Sequence, residues 1–477
     1  MMTAAAATAA TTTTGKRNKK TSDGSSSSND KSNHSNMWIL ALVALVAGLV
    51  TEPIWQIYRS KIVLNVPETP SQSWSDDRQL QTNEESSSTT SSTTSSTTTT
   101  SDNNSNNEFV LEESAKAQYS CSPEELNDFL HDFSVPGMHL VCLDGSSNLI
   151  TMYYKSLRSH VLQETIEEAE GTRMIWLDVR SVLQDKLRLP AKSELKQPWA
   201  LFSPTGERLE LGEESLADAS IDELFSLGMF LVMEGGQWVW PGVRKGFVRQ
   251  IQLDETHNAT LKTLSVRPLV FSVDGFLEDD ECDWIQVTAE PHMTQSGVSL
   301  MDRDKGKPAT DWRTSETTFL TEKTPEILEI DRRTSRLVRI PQTHQEPPQV
   351  LRYGLNARYD QHTDYFDPSL YANDKRTMQM IAYGRRNRMA TVLWYLSDVA
   401  EGGETTFPEM DNGPPVSNKE SCHVGLQVKP EKGKVIIFYS LKADGKFDPR
   451  SVHGACPVRE GVKWAANKWV WNEPWTY

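Results

Sequence analysis

Four residues have types and spacing that suggest chemistry. His362 and Asp364 stand two apart in the stretch Arg352 to Phe366, RYGLNARYDQHTDYF. In an extended chain, side chains two apart leave the same face. A second histidine, His453, follows in SVHGACPV, and Lys463 lies ten residues beyond it in GVKWAANKWVW. Two imidazoles and one carboxylate can cover one face of an iron(II) ion, leaving open positions for an oxidant and a co-substrate. A lysine nearby would supply a cation for an anionic co-substrate. His-x-Asp alone is common in chains of this length and equally describes two solvated loop residues.

The elements around these residues are short and alternate with period two. Val350–Leu355, Thr391–Ser397, Lys434–Tyr439 and Trp464–Trp471 read as strands separated by turn signals, the pattern of a β-sandwich or jelly roll. Phe276–Val287 reads as the start of a helix, acidic where the macrodipole favours it. After His453 come Gly454, Pro457 and Gly461, so the chain is expected to reverse and bring Lys463 back beside the metal on the neighbouring strand. From Lys463 one face carries Ala465, Asn467, Trp469 and Trp471, and the other Trp464, Ala466, Lys468 and Val470. A lysine on an inner face is costly unless paired. Either a bound dicarboxylate or an internal carboxylate would satisfy it.

From Arg267 to the C-terminus the chain resembles the prolyl 4-hydroxylases, a family of Fe(II)/2-oxoglutarate dioxygenases. The resemblance rests on GFLEDDECDWI, the RTS at Arg313–Ser315, EPPQVLRY, HTDYF, RMATVLWYLSDVAEGGETTFP, VKPEKGKVIIFYSL and DPRSVHGACPVREGVKWAANKWVWNE, in the family's order. It implies a double-stranded β-helix and the hydroxylation of peptidyl proline with dioxygen and 2-oxoglutarate, releasing succinate and carbon dioxide. It implies Fe(II) on His362, Asp364 and His453, with ascorbate as reductant. Lys463, Tyr353 and Thr405 are implied to bind the far carboxylate of 2-oxoglutarate. Gly402 and Gly403 would make the tight turn before Thr405. Arg313, Ser315, Glu346, Tyr359, Arg388 and Trp469 match positions implied to line the groove of a proline-rich peptide.

The chain departs from the family in three places. Asn356–Ala357 stands where the family has Gly-Gln, although Asn tolerates left-handed backbone. Trp471 stands where a histidine is often found. The segment between Phe366 and Met389 is long and basic, either a lid or a solvated insertion. A lysyl hydroxylase is the nearest alternative activity, but that family carries Arg at the anchor position. A catalytically silent lumenal peptide-binding module and a membrane-tethered scaffold are the non-enzymatic alternatives.

The 477 residues carry 49 Lys and Arg against 65 Asp and Glu, a net charge of -16, which argues against nucleic acid as a partner. Residues 1–36 form a Ser/Thr/Asn-rich tail expected to be disordered and cytosolic. Residues 37–57 contain the uncharged run MWILALVALVAGLV. They are read as a transmembrane signal anchor, preceded by Lys16, Arg17, Lys19, Lys20 and Lys31. A cleaved signal peptide and a buried helix are the other readings of that run. The reading places the protein in the endoplasmic reticulum or Golgi membrane as a single-pass type II chain with a lumenal catalytic domain.

Residues 58–111 form a Ser/Thr-rich stalk, and the triplets Asn103-Asn104-Ser105 and Asn258-Ala259-Thr260 fit N-glycosylation. Residues 112–266 are expected to form a small α/β domain, with a thioredoxin-like fold as one candidate. In that reading MHLVCLDG and RMIWLDV are strands with a helix between them, drawn from ITMYYKSLRSHVLQETIEEAE, and FLVMEGGQWVW is a hairpin. Trp238 and Trp240 are read as core, and the domain as a substrate-docking or subunit-contact element. Residues 267–477 form the catalytic domain, giving an α+β chain overall. Five cysteines leave at least one without an intramolecular partner. Cys121 and Cys142 are a candidate pair, with the pairing otherwise open.

Overall fold

A computed structural model describes residues 119–166, 176–209, 228–418 and 421–475. The expected tail at 1–36, the anchor at 37–57 and the stalk at 58–111 lie outside them. Among the described residues no helix is long and apolar enough to cross a membrane.

Strands β1 (Met138–Asp144), β2 (Leu149–Tyr153), β3 (Val161–Thr165), β4 (Ala200–Phe202) and β5 (Met229–Met233) form a sheet in the order β3-β2-β1-β5-β4, antiparallel throughout. Helix α1 (Trp176–Lys186) covers one face through Trp176, Val179 and Leu183, which pack with Val141, Phe230 and Val232. The expected strand–helix–strand unit is therefore corrected. The segment read as a helix supplies β2 and β3, broken by left-handed Lys155 and Ser156, and Trp176 to Val179, the described part of RMIWLDV, open α1. Spacings of three and four bury one side of a helix, and a window as short as MIWLDV cannot separate that from a strand. Among the described residues the sheet has none of the parallel pairing that a thioredoxin-like α/β unit would show.

The catalytic region holds β6 (Val248–Gln252), β7 (Asn258–Val266), β8 (Leu269–Asp274), β9 (Thr294–Gln295), β10 (Glu316–Phe319), β11 (Gln349–Tyr353) and β12 (Tyr359–His362). It continues through β13 (Arg388–Tyr395), β14 (Glu401–Gly402), β15 (Thr405–Phe407), β16 (Leu426–Val428), β17 (Val435–Tyr439), β18 (His453–Ala455), β19 (Val458–Glu460) and β20 (Lys463–Trp471). Nine of these strands form one sheet, β6-β7-β8-β17-β13-β20-β11-β10-β9, and a second sheet runs β12-β18-β15-β16. The boundary expected at 266/267 falls inside a hairpin, because β7 pairs with β8 from Thr260 to Val266. The hydrogen-bond ladder runs through that point.

Period-two alternation explains the layering. On β13, Ala390, Val392 and Trp394 face a core shared with helices α2 (Asp279–Ala289) and α3 (Pro325–Val338), while Leu393 and Tyr395 face the smaller sheet. On β17, Val435, Ile437 and Tyr439 take the first side and Ile436 and Phe438 the second. Phe407 and Val428 of the smaller sheet close against that second side. The result is two antiparallel sheets packed face to face, the jelly-roll arrangement the strand pattern predicted. Helix α3 starts at Thr324, whose hydroxyl caps Ile327 N, with Pro325 in the first turn. It ends at left-handed Arg339. Trp238 and Trp240 are 0% and 2% exposed and pack edge to face, so they belong to the core that joins the accessory sheet to the large one.

Candidate metal centre

His362 ends β12 and His453 begins β18. The two strands are antiparallel, and these two residues are direct register partners, so their rings sit 4.3 Å apart. Asp364 follows two residues after His362. Its Oδ1 lies 3.8 Å from His362 Nε2 and its Oδ2 3.7 Å from His453 Nε2. One ligand atom from each residue lies within 4.8 Å of the others.

The Nδ1 of each imidazole is committed to a backbone carbonyl, that of Asp360 for His362 and that of Ser451 for His453, both at 2.9 Å. Each ring therefore carries its proton on Nδ1 and turns the Nε2 lone pair inward, the tautomer a metal requires. Burial, reinforced by His453, holds His362 well below the usual histidine range, which keeps it neutral. Burial alone would raise Asp364, but the adjacent His453 and His362 hold its carboxyl low. Thr391 donates to Asp364 Oδ2 at 2.5 Å and fixes the carboxylate. Two imidazoles with Nε2 turned inward and an ionised carboxylate, each oriented by a further hydrogen bond, fit Fe(II).

Lys463 begins β20 as the direct register partner of Tyr353 on β11. It is 2% exposed, and burial pushes its ammonium down to about 7. Its Nζ donates to Gly403 O at 2.7 Å and lies 3.5 Å from Thr405 Oγ1. The rings of Tyr353 and Tyr395 flank it at 5.3 and 5.4 Å. Among the described residues no carboxylate lies within ion-pair distance of this ammonium, so the internal salt bridge left open by the sequence is not formed there. The chemistry of the cradle fits a carboxylate supplied from outside, as 2-oxoglutarate would supply it. Gly402 has φ 78°, and a Cβ there would stand 2.3 Å from Pro457 O. Only glycine permits the turn that presents the Gly403 carbonyl.

The expected route of Lys463 to the site is corrected in one respect. β20 is not the neighbour of β18. It lies between β13 and β11 in the large sheet, whereas His362 and His453 stand on β12 and β18 of the smaller one. The intervening β19 pairs instead with β14.

The remaining sequence-derived residues gather on one side of the metal residues. Tyr359 stacks on His362 with centroids 3.6 Å apart, and Arg313 lies 4.6 Å above the Tyr359 ring. Arg388 lies 3.4 Å over Trp469 and is held in a double ion pair by Glu346, whose Oε1 also accepts from Trp471 Nε1. Glu346 and Ser315 are 4% and 0% exposed, and Ser315 Oγ joins Arg313 Nε to Ser296 Oγ. These two hold the arginines in place. Thr391 and Tyr395 were not picked out by sequence. Their signal was present, since both alternate with Leu393 on the face of RMATVLWY that looks toward the smaller sheet.

Cys422 and Cys456 form a disulfide, as do Cys121 and Cys142, while Cys282 is buried and free. The first bridge ties the loop bearing Asn418, which holds Gln361 N and Asp360, to the strand of His453.

Two antiparallel sheets with a 2-His-1-carboxylate cluster between them define an Fe(II)-dependent oxygenase. The family model described as the 2OG-Fe(II) oxygenase superfamily matches residues 348–471. Prolyl 4-hydroxylase 2 of Arabidopsis thaliana is 40% identical over 219 residues, 44% of this chain and 69% of the relative. Prolyl 4-hydroxylase 1 of the same plant is 37% identical over 216 residues, 45% of this chain and 72% of the relative. A solved structure of viral collagen prolyl hydroxylase from Paramecium Bursaria Chlorella virus-1, as its 2OG complex, is 26% identical with a TM-score of 0.30, covering 42% of this chain and 95% of that one. The chain belongs to the prolyl 4-hydroxylase family. It is a dioxygenase that uses Fe(II) and 2-oxoglutarate, with ascorbate typical of the family.

Proposed function

We propose that this chain hydroxylates peptidyl proline at C4, with His362, Asp364 and His453 as the iron ligands. Bound there, iron couples the oxidation of 2-oxoglutarate to succinate and carbon dioxide to the transfer of one oxygen atom from dioxygen to proline. The protein's part is placement. The Nδ1 bonds to Asp360 O and Ser451 O aim both imidazoles, and Thr391 holds the carboxylate. Lys463, with Tyr353 and Thr405, grips the distal carboxylate of 2-oxoglutarate. Arg313, Tyr359, Arg388 and Trp469 form the wall against which the peptide lies, stiffened by Ser315 and Glu346. The observation that most directly supports the reading is the convergence of the three ligand atoms within 4.8 Å, together with a buried lysine that has no carboxylate within ion-pair distance among the described residues.

The test is mass spectrometry of proline-rich peptides incubated with the protein, Fe(II), 2-oxoglutarate, ascorbate and air. One added oxygen on proline, matched by succinate, is expected. Oxygen on lysine instead would move the chain to lysyl hydroxylation, and none on either would return the silent peptide-binding module.

The lumenal location, the anchor at 37–57 and glycosylation belong to the same proposal. Two disulfides fit an oxidising compartment, and Asn258 is exposed at the start of β7. Digestion with a glycosidase and protease protection of isolated membranes would test these features. Cleavage of the whole chain by protease added outside sealed vesicles would exclude the lumenal orientation.

A further inference from the structure

A cavity of about 410 Å³ lies in the seam between the accessory sheet and the oxygenase sheet, apart from the iron residues. That volume lies in the range of small-molecule sites, roughly 300–1,000 Å³. Its apolar walls include Phe133, Val135, Val239 and Leu269. Its charged groups are Arg267, Lys442 and Arg450 against the single carboxylate of Asp448, an excess of cations. Lys442 reaches Asp444 at 3.5 Å, and Arg267 makes a 3.4 Å bond to Ser134 O while lying over Phe133. Arg450 makes no side-chain hydrogen bond or ion pair among the described residues, and burial raises Asp448, which weakens it as a counter-ion.

The wall also contains a buried donor in need of an acceptor. His131 is 2% exposed, and its Nε2 accepts from Val243 N at 2.9 Å, which leaves the proton on Nδ1. That Nδ1 has no partner at full hydrogen-bond geometry among the described residues, with the backbone of Ser156 and Phe129 nearby. Burial holds the ring neutral by lowering it to about 4. An acceptor atom on a ligand would satisfy that donor better. Of the aromatic polar atoms in the wall, Trp240 Nε1 donates to Leu337 O and Tyr439 Oη accepts from Trp240 N.

We infer that this cavity binds an amphipathic organic anion, with the apolar body against Phe133, Val135 and Leu269 and the carboxylate or equivalent acid group among Arg267, Arg450 and His131. The site is wired to the metal centre through one short segment. Asp448 and Arg450 line the cavity, and Ser451, the next residue, gives His453 its carbonyl partner.

Isothermal titration of the full chain with naphthoate and with the uncharged naphthamide tests the inference. The two share a shape and differ in charge. Naphthoate is expected to bind at least about tenfold more tightly than the amide, which corresponds to about 1.4 kcal/mol. The pair Arg267→Gln and Arg450→Gln should erase that preference while leaving naphthamide unchanged, and Val135→Trp should fill the cavity and remove both ligands. Equal affinity for acid and amide, or naphthoate binding undiminished in the arginine pair, overturns the inference. A melting curve identifies a misfolded Val135→Trp, in which case the arginine pair alone decides.

Discussion

Strand β20 carries two buried lysines five residues apart on opposite faces, and their surroundings differ. Lys468 is 0% exposed and closed in by protein: Asp331 at 2.5 Å, itself bridged to Lys323, and the Glu346 carbonyl at 2.7 Å. Lys463 is just as deep, yet it has one carbonyl, a distant hydroxyl and two aromatic rings. Burial pushes both ammonium groups down, to about 8 for Lys468 and about 7 for Lys463. A charge whose partner is built into the fold stabilises that fold, whereas a charge without one is poised for a ligand.

The largest expected effect sharpens the comparison from the metal side. His362→Ala, Asp364→Ala and His453→Ala should each lower turnover by at least about a thousandfold with little change in melting temperature, because each removes one of three ligands. Activity and melting curves on the same preparations check this. Retained turnover in His453→Ala would break the ligand set.

Lys468→Ala should act on stability instead. Leaving Asp331 buried and with one cation fewer costs about 3–5 kcal/mol, read as a shift in the denaturant midpoint. Unchanged stability would mean the two lysines are not different in kind.

A smaller effect concerns pH. The ligand-free Lys463 titrates near 7, so the ammonium is lost as pH rises through that value. The 2-oxoglutarate Kd should therefore rise above pH 7, by up to about tenfold per pH unit, until the pKa of the complex is reached. The stability sign is opposite. An unfolded lysine titrates near about 10.4, so between about pH 7 and that value the unfolded chain holds more protons and this residue makes the ligand-free fold more stable as pH rises. Titrations across that range read both trends, and a flat Kd would contradict the poised ammonium.

The smallest effect is at the turn after Tyr353. Asn356 sits at φ 62° with its side chain accepting from Arg459, so Asn356→Ala should cost about 1 kcal/mol, measured by chemical denaturation.

What could be read from sequence follows the same physics. His362–Asp364, the strands around them and the two faces of β20 were legible because side chains two apart leave the same face of any strand. The partners of Lys463 across β13, Tyr395 above all, depended on register between distant segments, which no local pattern encodes. The route of Lys463 through the large sheet was missed for the same reason. In the accessory region the signals were short: Trp176, Val179 and Leu183 span too few turns to declare a helix, and β3 is an edge strand whose exposed alternation carries little apolar signal.

The most direct measurement is calorimetric titration of 2-oxoglutarate into the metal-loaded protein under anaerobic conditions, with Lys463→Ala and a Lys468→Met variant checked for folding. Loss of a charge-assisted contact worth about 1.5–3 kcal/mol predicts a Kd raised about 10- to 150-fold in Lys463→Ala and unchanged within about twofold in Lys468→Met. An unaltered Kd in Lys463→Ala, or equal losses in both variants, would contradict the assignment of Lys463 as the co-substrate's anchor.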